Sequence, residues 1–333
     1  MNLWRGLLFA LVCLLAFPAF AEPAPVQQVE VSSRQIGYFH IGRSAQRFGQ
    51  LEFVGGLEMS SPARDFGGIS SMRFLTPGRD FVAVSDVGIW LFGRIARDDA
   101  GRPAGIEQMR LQQMVDATGN AVVDKWEVDA EGLSVKNGEA FVGFERRHRI
   151  SRFRLDPEGM KAAIGNVDFL VPAHELRQNR GFETVAHAPE DGPLAGALVA
   201  VTEKSIDRQG NVFAAVTEGP RKGIFTVRRY DGFDITDGAF LPGGDLLLLE
   251  RSYTLMGGVR MRLRRIAGDS IGKGALVDGP VLLQADMTFQ IDNMEALDVW
   301  RREDGATMIS MMSDDNYSIL QRNLYLEFVL HDD

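Results

Sequence analysis

Three glutamates recur inside short elements of small and apolar residues: Ala130-Glu131-Gly132-Leu133-Ser134, Gly181-Phe182-Glu183-Thr184-Val185-Ala186 and Met294-Glu295-Ala296-Leu297-Asp298-Val299. An apolar run ending in an acid follows each of them. Two further stretches, starting at Phe66 and Asp237, share the pattern, so Asp86, Glu145, Glu203, Glu250 and Asp314 form a second set of strand-end acids. Carboxylates gathered at one place repel one another, and a hard divalent cation relieves the repulsion, because Ca²⁺ accepts about six to eight oxygen ligands in loose geometry. All eight acids are candidate ligands, with calcium the first choice, magnesium the second, and no metal the third. If the site is catalytic, Glu131, Glu183 and Glu295 are its candidate proton acceptors in metal-assisted hydrolysis of an ester or phosphoester. Arg146, Arg180 and Arg251 lie within three residues of these acids and could bind an anionic substrate through their planar donor forks. The same arginines could instead neutralise the acids in closed ion pairs that hold the fold together. Both readings stand on the sequence.

Other chemistries find little support. The five histidines show no ligand spacing, and the single cysteine, Cys13, sits in an apolar N-terminal run, which argues against zinc and thiol chemistry. Gly67-Gly68-Ile69-Ser70-Ser71-Met72 comes nearest to a nucleophile elbow and fails at Met72. No phosphate-binding or dinucleotide-binding glycine loop is present, and Pro242-Gly243-Gly244 and Gly257-Gly258 read as turns. A formal charge of −9 makes nucleic acid an improbable partner.

The elements that must position these acids are short strands. Runs such as Phe81-Val82-Ala83-Val84-Ser85 and Leu246-Leu247-Leu248-Leu249, broken by turn signals, give an all-β reading, with 106–115 the best helix candidate and equally a bulged strand. Positions 68, 132, 183, 239 and 296 recur at intervals of 51 to 64 residues, a loose period slightly above that of common propeller blades. A β-propeller is therefore expected. Six blades are the first choice for this length, with five or seven as alternatives, the sixth built from the stretch around 36–57 together with the C-terminal strand 323–330, so that the termini join in one blade. Residues 1–21 carry Arg5, an apolar run and Ala19-Phe20-Ala21, a secretory signal cleaved after Ala21. Residues 22–333 would then be one domain, periplasmic or secreted, with no transmembrane segment.

Asp129-Ala130-Glu131-Gly132-Leu133-Ser134, Asn179-Arg180-Gly181-Phe182-Glu183-Thr184-Val185-Ala186 and Ser313-Asp314-Asp315-Asn316-Tyr317-Ser318 with Gln321-Arg322 resemble the phytase-like family described as having esterase-like activity. The resemblance covers residues 55–330 and implies an exported bacterial β-propeller. A shared fold is weak evidence for a shared reaction. Three functions compete: a metal-dependent esterase or phosphoesterase on a small molecule, a non-catalytic propeller binding a ligand or envelope protein, and a lactonase-like metal hydrolase.

Overall fold

The computed structural model describes residues 25–176, 181–230 and 232–331. The leader-like segment and Arg180 lie outside them. Apart from one turn of α-helix, Lys125–Val128, and one 3₁₀ turn, the described elements are strands, arranged in five sheets. Each sheet starts with an inner strand: Ile69–Phe74, Ala130–Lys136, Phe182–His187, Asp234–Phe240 and Asn293–Arg301 in blades one to five. Each inner strand packs on the next, and the fifth packs on the first, so the blades close a ring.

The ring has five blades, not six. The stretch expected to supply a sixth blade joins the fifth instead: Leu51–Ser60 pairs antiparallel with Asn323–Leu330, with Leu51 opposite Leu330 and Met59 opposite Asn323. Ser32–Ile36 then adds outside Leu51–Ser60. Five inner strands are thus all that the five motif copies provide, and the extra length goes into wide outer edges. Gln27–Gln28 widens blade one and Leu276–Val277 widens blade three in the same way.

Blades hold together through apolar clusters at each interface. Val82, Val84 and Trp90 of blade one meet Leu133, Val142 and Phe153 of blade two, while Leu247 and Leu249 of blade four meet Leu297, Ile309 and Met311 of blade five. Because a blade is covered on both faces, its middle strands are buried continuously rather than in alternation, as in Thr307–Asp314 and Asn323–Leu330. The segment 106–115 lies largely in the strand Pro103–Gln113. Gln108, at φ 52°, takes up the bulge opposite Gly93, which explains why its spacing also resembled a helix.

The axis is plugged. The guanidinium of Arg73, on the first inner strand, donates to both oxygens of Asp237 at 2.9 and 3.0 Å, to Leu297 O at 2.7 Å and to Gly238 O at 3.0 Å. Asp237 also accepts from Ser71 Oγ at 2.9 Å and from the Leu297 N–H at 2.9 Å. One buried ion pair therefore ties blades one, four and five together and separates the two mouths of the channel.

Candidate functional site

A repeated irregularity at the start of each inner strand builds the site. In all five blades the pairing between inner and second strand skips one residue: Ser70, Glu131, Glu183, Thr236 and Glu295. A bulged residue leaves the ladder and its side chain is re-aimed. The motif glutamates are the bulge residues of blades two, three and five, and hydroxyl residues hold the equivalent places in blades one and four. Close blade contact enforces the arrangement, since a Cβ on Gly132 would meet the carbonyl oxygen of Glu183 at 2.8 Å.

The second ring follows from the same register. The N–H of Asp86 donates to Gly68 O at 3.1 Å, that of Glu145 to Asp129 O at 2.8 Å and that of Glu203 to Gly181 O at 2.9 Å. In each case the accepting residue stands two before the bulge. By that register the equivalent residues are Arg251, opposite Asp234, and Asp314, opposite Asn293. Glu250 is one residue out of step and points to the other face of its sheet, where it is buried between the guanidinium groups of Arg262 and Arg264. The strand-end ring is thus Asp86, Glu145, Glu203, Arg251 and Asp314.

Two acidic triads result. One oxygen each from Asp129, Glu131 and Glu145 lie within 4.8 Å of one another, and so do oxygens from Glu145, Glu183 and Glu203, so Glu145 belongs to both. Glu145 is anchored by the Gly181 N–H at 2.7 Å. Across the mouth, Arg251 holds Glu295 at 2.8 Å and also bonds Asn293, whose amide donates to Glu295 at 2.8 Å. Asp314 accepts the Asn316 N–H at 2.6 Å. Lys125, from the short helix, bonds Asp86 and lies 3.3 Å from Asp129. Arg146 bonds Asp129 through Nε and stacks 5.1 Å from the Trp126 ring.

Burial and mutual repulsion raise the acids' proton affinity. Burial first, then the charges of Glu145 and Glu295, push Glu131 well above the ordinary carboxylate range. Burial, then Glu131 and Glu145, do the same to Glu183. Glu145 is raised to about 7 by burial against the pull of the Gly181 N–H, and Asp314 to about 8 by burial and Glu295. Glu295 is also raised by burial, with Arg251 opposing.

The residues fit a hard cation. Lys125, Arg146 and Arg251 meet Asp86, Asp129 and Glu295, while the atoms that the two triads offer are all carboxylate oxygens. Asp86 Oδ1 is buried without a hydrogen-bond partner, and the charges that act most on Glu131 are those of other acids. Asp129, Lys125 and Asn293 were not singled out in the sequence. The signal for two of them was present, because Asp129 and Asn293 each stand two residues before a motif glutamate.

Fold and site together define a five-bladed β-propeller with one acid-lined mouth. The model of the phytase-like family, described as esterase-like activity of phytase, matches residues 64–317, and the chain belongs to that family. No curated protein matches it. Among solved structures, an endo-arabinase from Bacteroides thetaiotaomicron is 12% identical, with 82% of this chain and 97% of that one covered at a TM-score of 0.48. An exo-1,5-alpha-L-arabinanase from a bovine ruminal metagenomic library is 14% identical, covering 78% and 97% at a TM-score of 0.41. A calcium-binding regucalcin from Agrobacterium tumefaciens is 8% identical, covering 84% of each chain at a TM-score of 0.37. Among the described residues no helix is long and apolar enough to cross a membrane.

Proposed function

We propose that the acid mouth binds a divalent cation, calcium in the first place, and hydrolyses an ester or phosphoester. The observation that carries this reading is the pair of largely buried triads sharing Glu145, in which burial and the neighbouring acids raise Glu131 and Glu183 well above the ordinary carboxylate range. Asp129, Glu145, Glu183 and Glu203 are the residues that would hold the ion. When bound, it would supply positive charge that polarises the substrate oxygen and acidifies water.

The chain's own groups divide the remaining work. Glu131 is surrounded by other acids, and its raised proton affinity suits it to accept a proton from water and return it to the leaving oxygen. Glu295, fixed by Arg251 and Asn293, keeps negative charge on the far side of the mouth. Arg146 and Arg251 each commit one nitrogen to the site and retain further donors for an anionic substrate oxygen. Arg180 joins them as a candidate on sequence grounds alone. The leader-like segment supports export to the periplasm or beyond.

The test is metal content, followed by turnover of chromogenic carboxyl esters, phosphoesters and lactones with and without chelator. Calcium-dependent turnover that Glu131→Gln abolishes while calcium stays bound supports the assignment. Bound calcium without turnover of any substrate would instead support the non-catalytic propeller.

A further inference from the structure

Large apolar side chains stand in solvent on one end of this propeller. Val123, Leu255, Met256, Ile319 and Leu320 are 81–102% exposed, more than any other large apolar residue among those described, and all five sit on loops at the acid mouth. Leu255 and Met256 cap the hairpin where Tyr253 pairs Val259 and Thr254 pairs Gly258, beyond the level of the strand-end ring. Ile319 and Leu320 lie on the loop that follows Asp314. That loop is pinned over the mouth by Tyr317 Oη on Gly67 O at 3.2 Å and by the Gly68 N–H on Asp315 at 3.1 Å. Val123 leads into the helix that carries Lys125.

Charge is layered behind these tips. Residues 253–259 and 316–321 carry none. At the bases of the two loops stand Arg260 and Arg322, with Arg146 in the neighbouring turn, while Arg251 lies in the strand-end ring on Glu295 and the ring's carboxylates are recessed with it, Asp124 beside Val123 being the exposed exception. Apolar tips in front of guanidinium groups match the order of hydrocarbon and phosphate in a lipid surface. Tips on three separate loops around an opening also suit a deformable medium better than the single flat patch of a protein interface.

We infer that the acid-mouth face docks on a lipid surface and that its ester or phosphoester is an amphiphile drawn from that surface, an assignment of substrate class that rests on the hydrolytic reading above. The loops enter the hydrocarbon, the arginines meet the phosphates, and the polar head reaches the acids.

The experiment compares the wild-type protein with the double variants Leu255→Ser/Met256→Ser and Ile319→Ser/Leu320→Ser. Each is sedimented with vesicles of phosphatidylcholine containing a minor share of phosphatidylglycerol, in calcium, and assayed on one ester both as a soluble short-chain form and as a vesicle-embedded long-chain form. The expected result is vesicle binding by the wild type, weakened about tenfold or more in each variant, with soluble turnover unchanged and embedded turnover lost. Wild-type protein left in the supernatant, or variants that bind as the wild type does, overturns the inference. So does a loss of self-association in the variants with no vesicle binding, which would make a second copy the occupant of this face. Vesicle binding that the variants lose, with no turnover in either assay, supports the docking surface and removes the hydrolytic reading instead.

Discussion

At the scale of single residues, the mouth separates two kinds of acid that sequence alone treats alike. Glu250 and Glu131 both precede or follow apolar runs, yet Glu250 is closed off by Arg262 and Arg264, whereas Glu131 faces other acids. Glu250→Gln should therefore leave two buried guanidinium groups short of their counter-charge and cost about 3 kcal/mol in a denaturation experiment, with calcium affinity unchanged. Glu131→Gln should do the reverse, removing repulsion and raising the melting temperature of the calcium-free protein. The raised acids also set a pH dependence. A folded pKa above the unfolded one means that the folded state binds more protons between the two, so stability is fullest below the unfolded value and is lost as pH rises through the folded one. With Glu145 at about 7 and Asp314 at about 8, the calcium-free protein should lose melting temperature progressively from the ordinary carboxylate range, about pH 4, up to about pH 8. Saturating calcium should remove that loss, and calorimetry near pH 7 in buffers of differing ionisation heat should detect proton release on binding.

At the scale of the element, the decisive device is the bulge at the second or third position of each inner strand. It was not legible in the sequence. The acids of blades two, three and five were recognisable as a set, but their counterparts are Ser70 and Thr236, which share no charge with them. The strand-end ring was legible at four of five positions. It failed in blade four because strand side chains alternate with a period of two, so choosing Glu250 over Arg251 reverses the face. Asp129 was missed because it ends the short helix instead of lying within a strand. The packing around the bulge is tight enough to test. Gly132→Ala places a methyl group against the Glu183 carbonyl and should destabilise the fold by about 1–3 kcal/mol, read from denaturant midpoints. Gly105→Ala, also in a strand and with neither a positive φ nor any atom within 4 Å of the added methyl group, is the control without the contact.

At the scale of the whole molecule, the β class and the ring could be read from five recurring motifs, while the blade number could not. An interval of 51 to 64 residues is compatible with either count, and only pairing shows that Leu51–Ser60 widens the blade completed by Asn323–Leu330. The plug at the axis was likewise hidden, because Arg73 and Asp237 lie 164 residues apart and Asp237, although it opens one of the five motif copies, stands outside both sets of candidate acids. It makes the channel one-sided and leaves the acid mouth as a closed-ended cup. Arg73→Met should leave Asp237 buried without its counter-charge and cost about 3–5 kcal/mol, measured as a fall in unfolding midpoint, with little effect on the calcium dependence of what remains folded. Thermal melting of the purified protein across a calcium titration, started from chelator-treated material and repeated with Glu183→Gln, tests the central claim most directly. A melting temperature that climbs with calcium in the wild type, and much less in the variant, is the predicted result. A wild-type protein that carries no divalent cation and melts at the same temperature with chelator or calcium would contradict it, and the acids would then be held by protons and arginines alone.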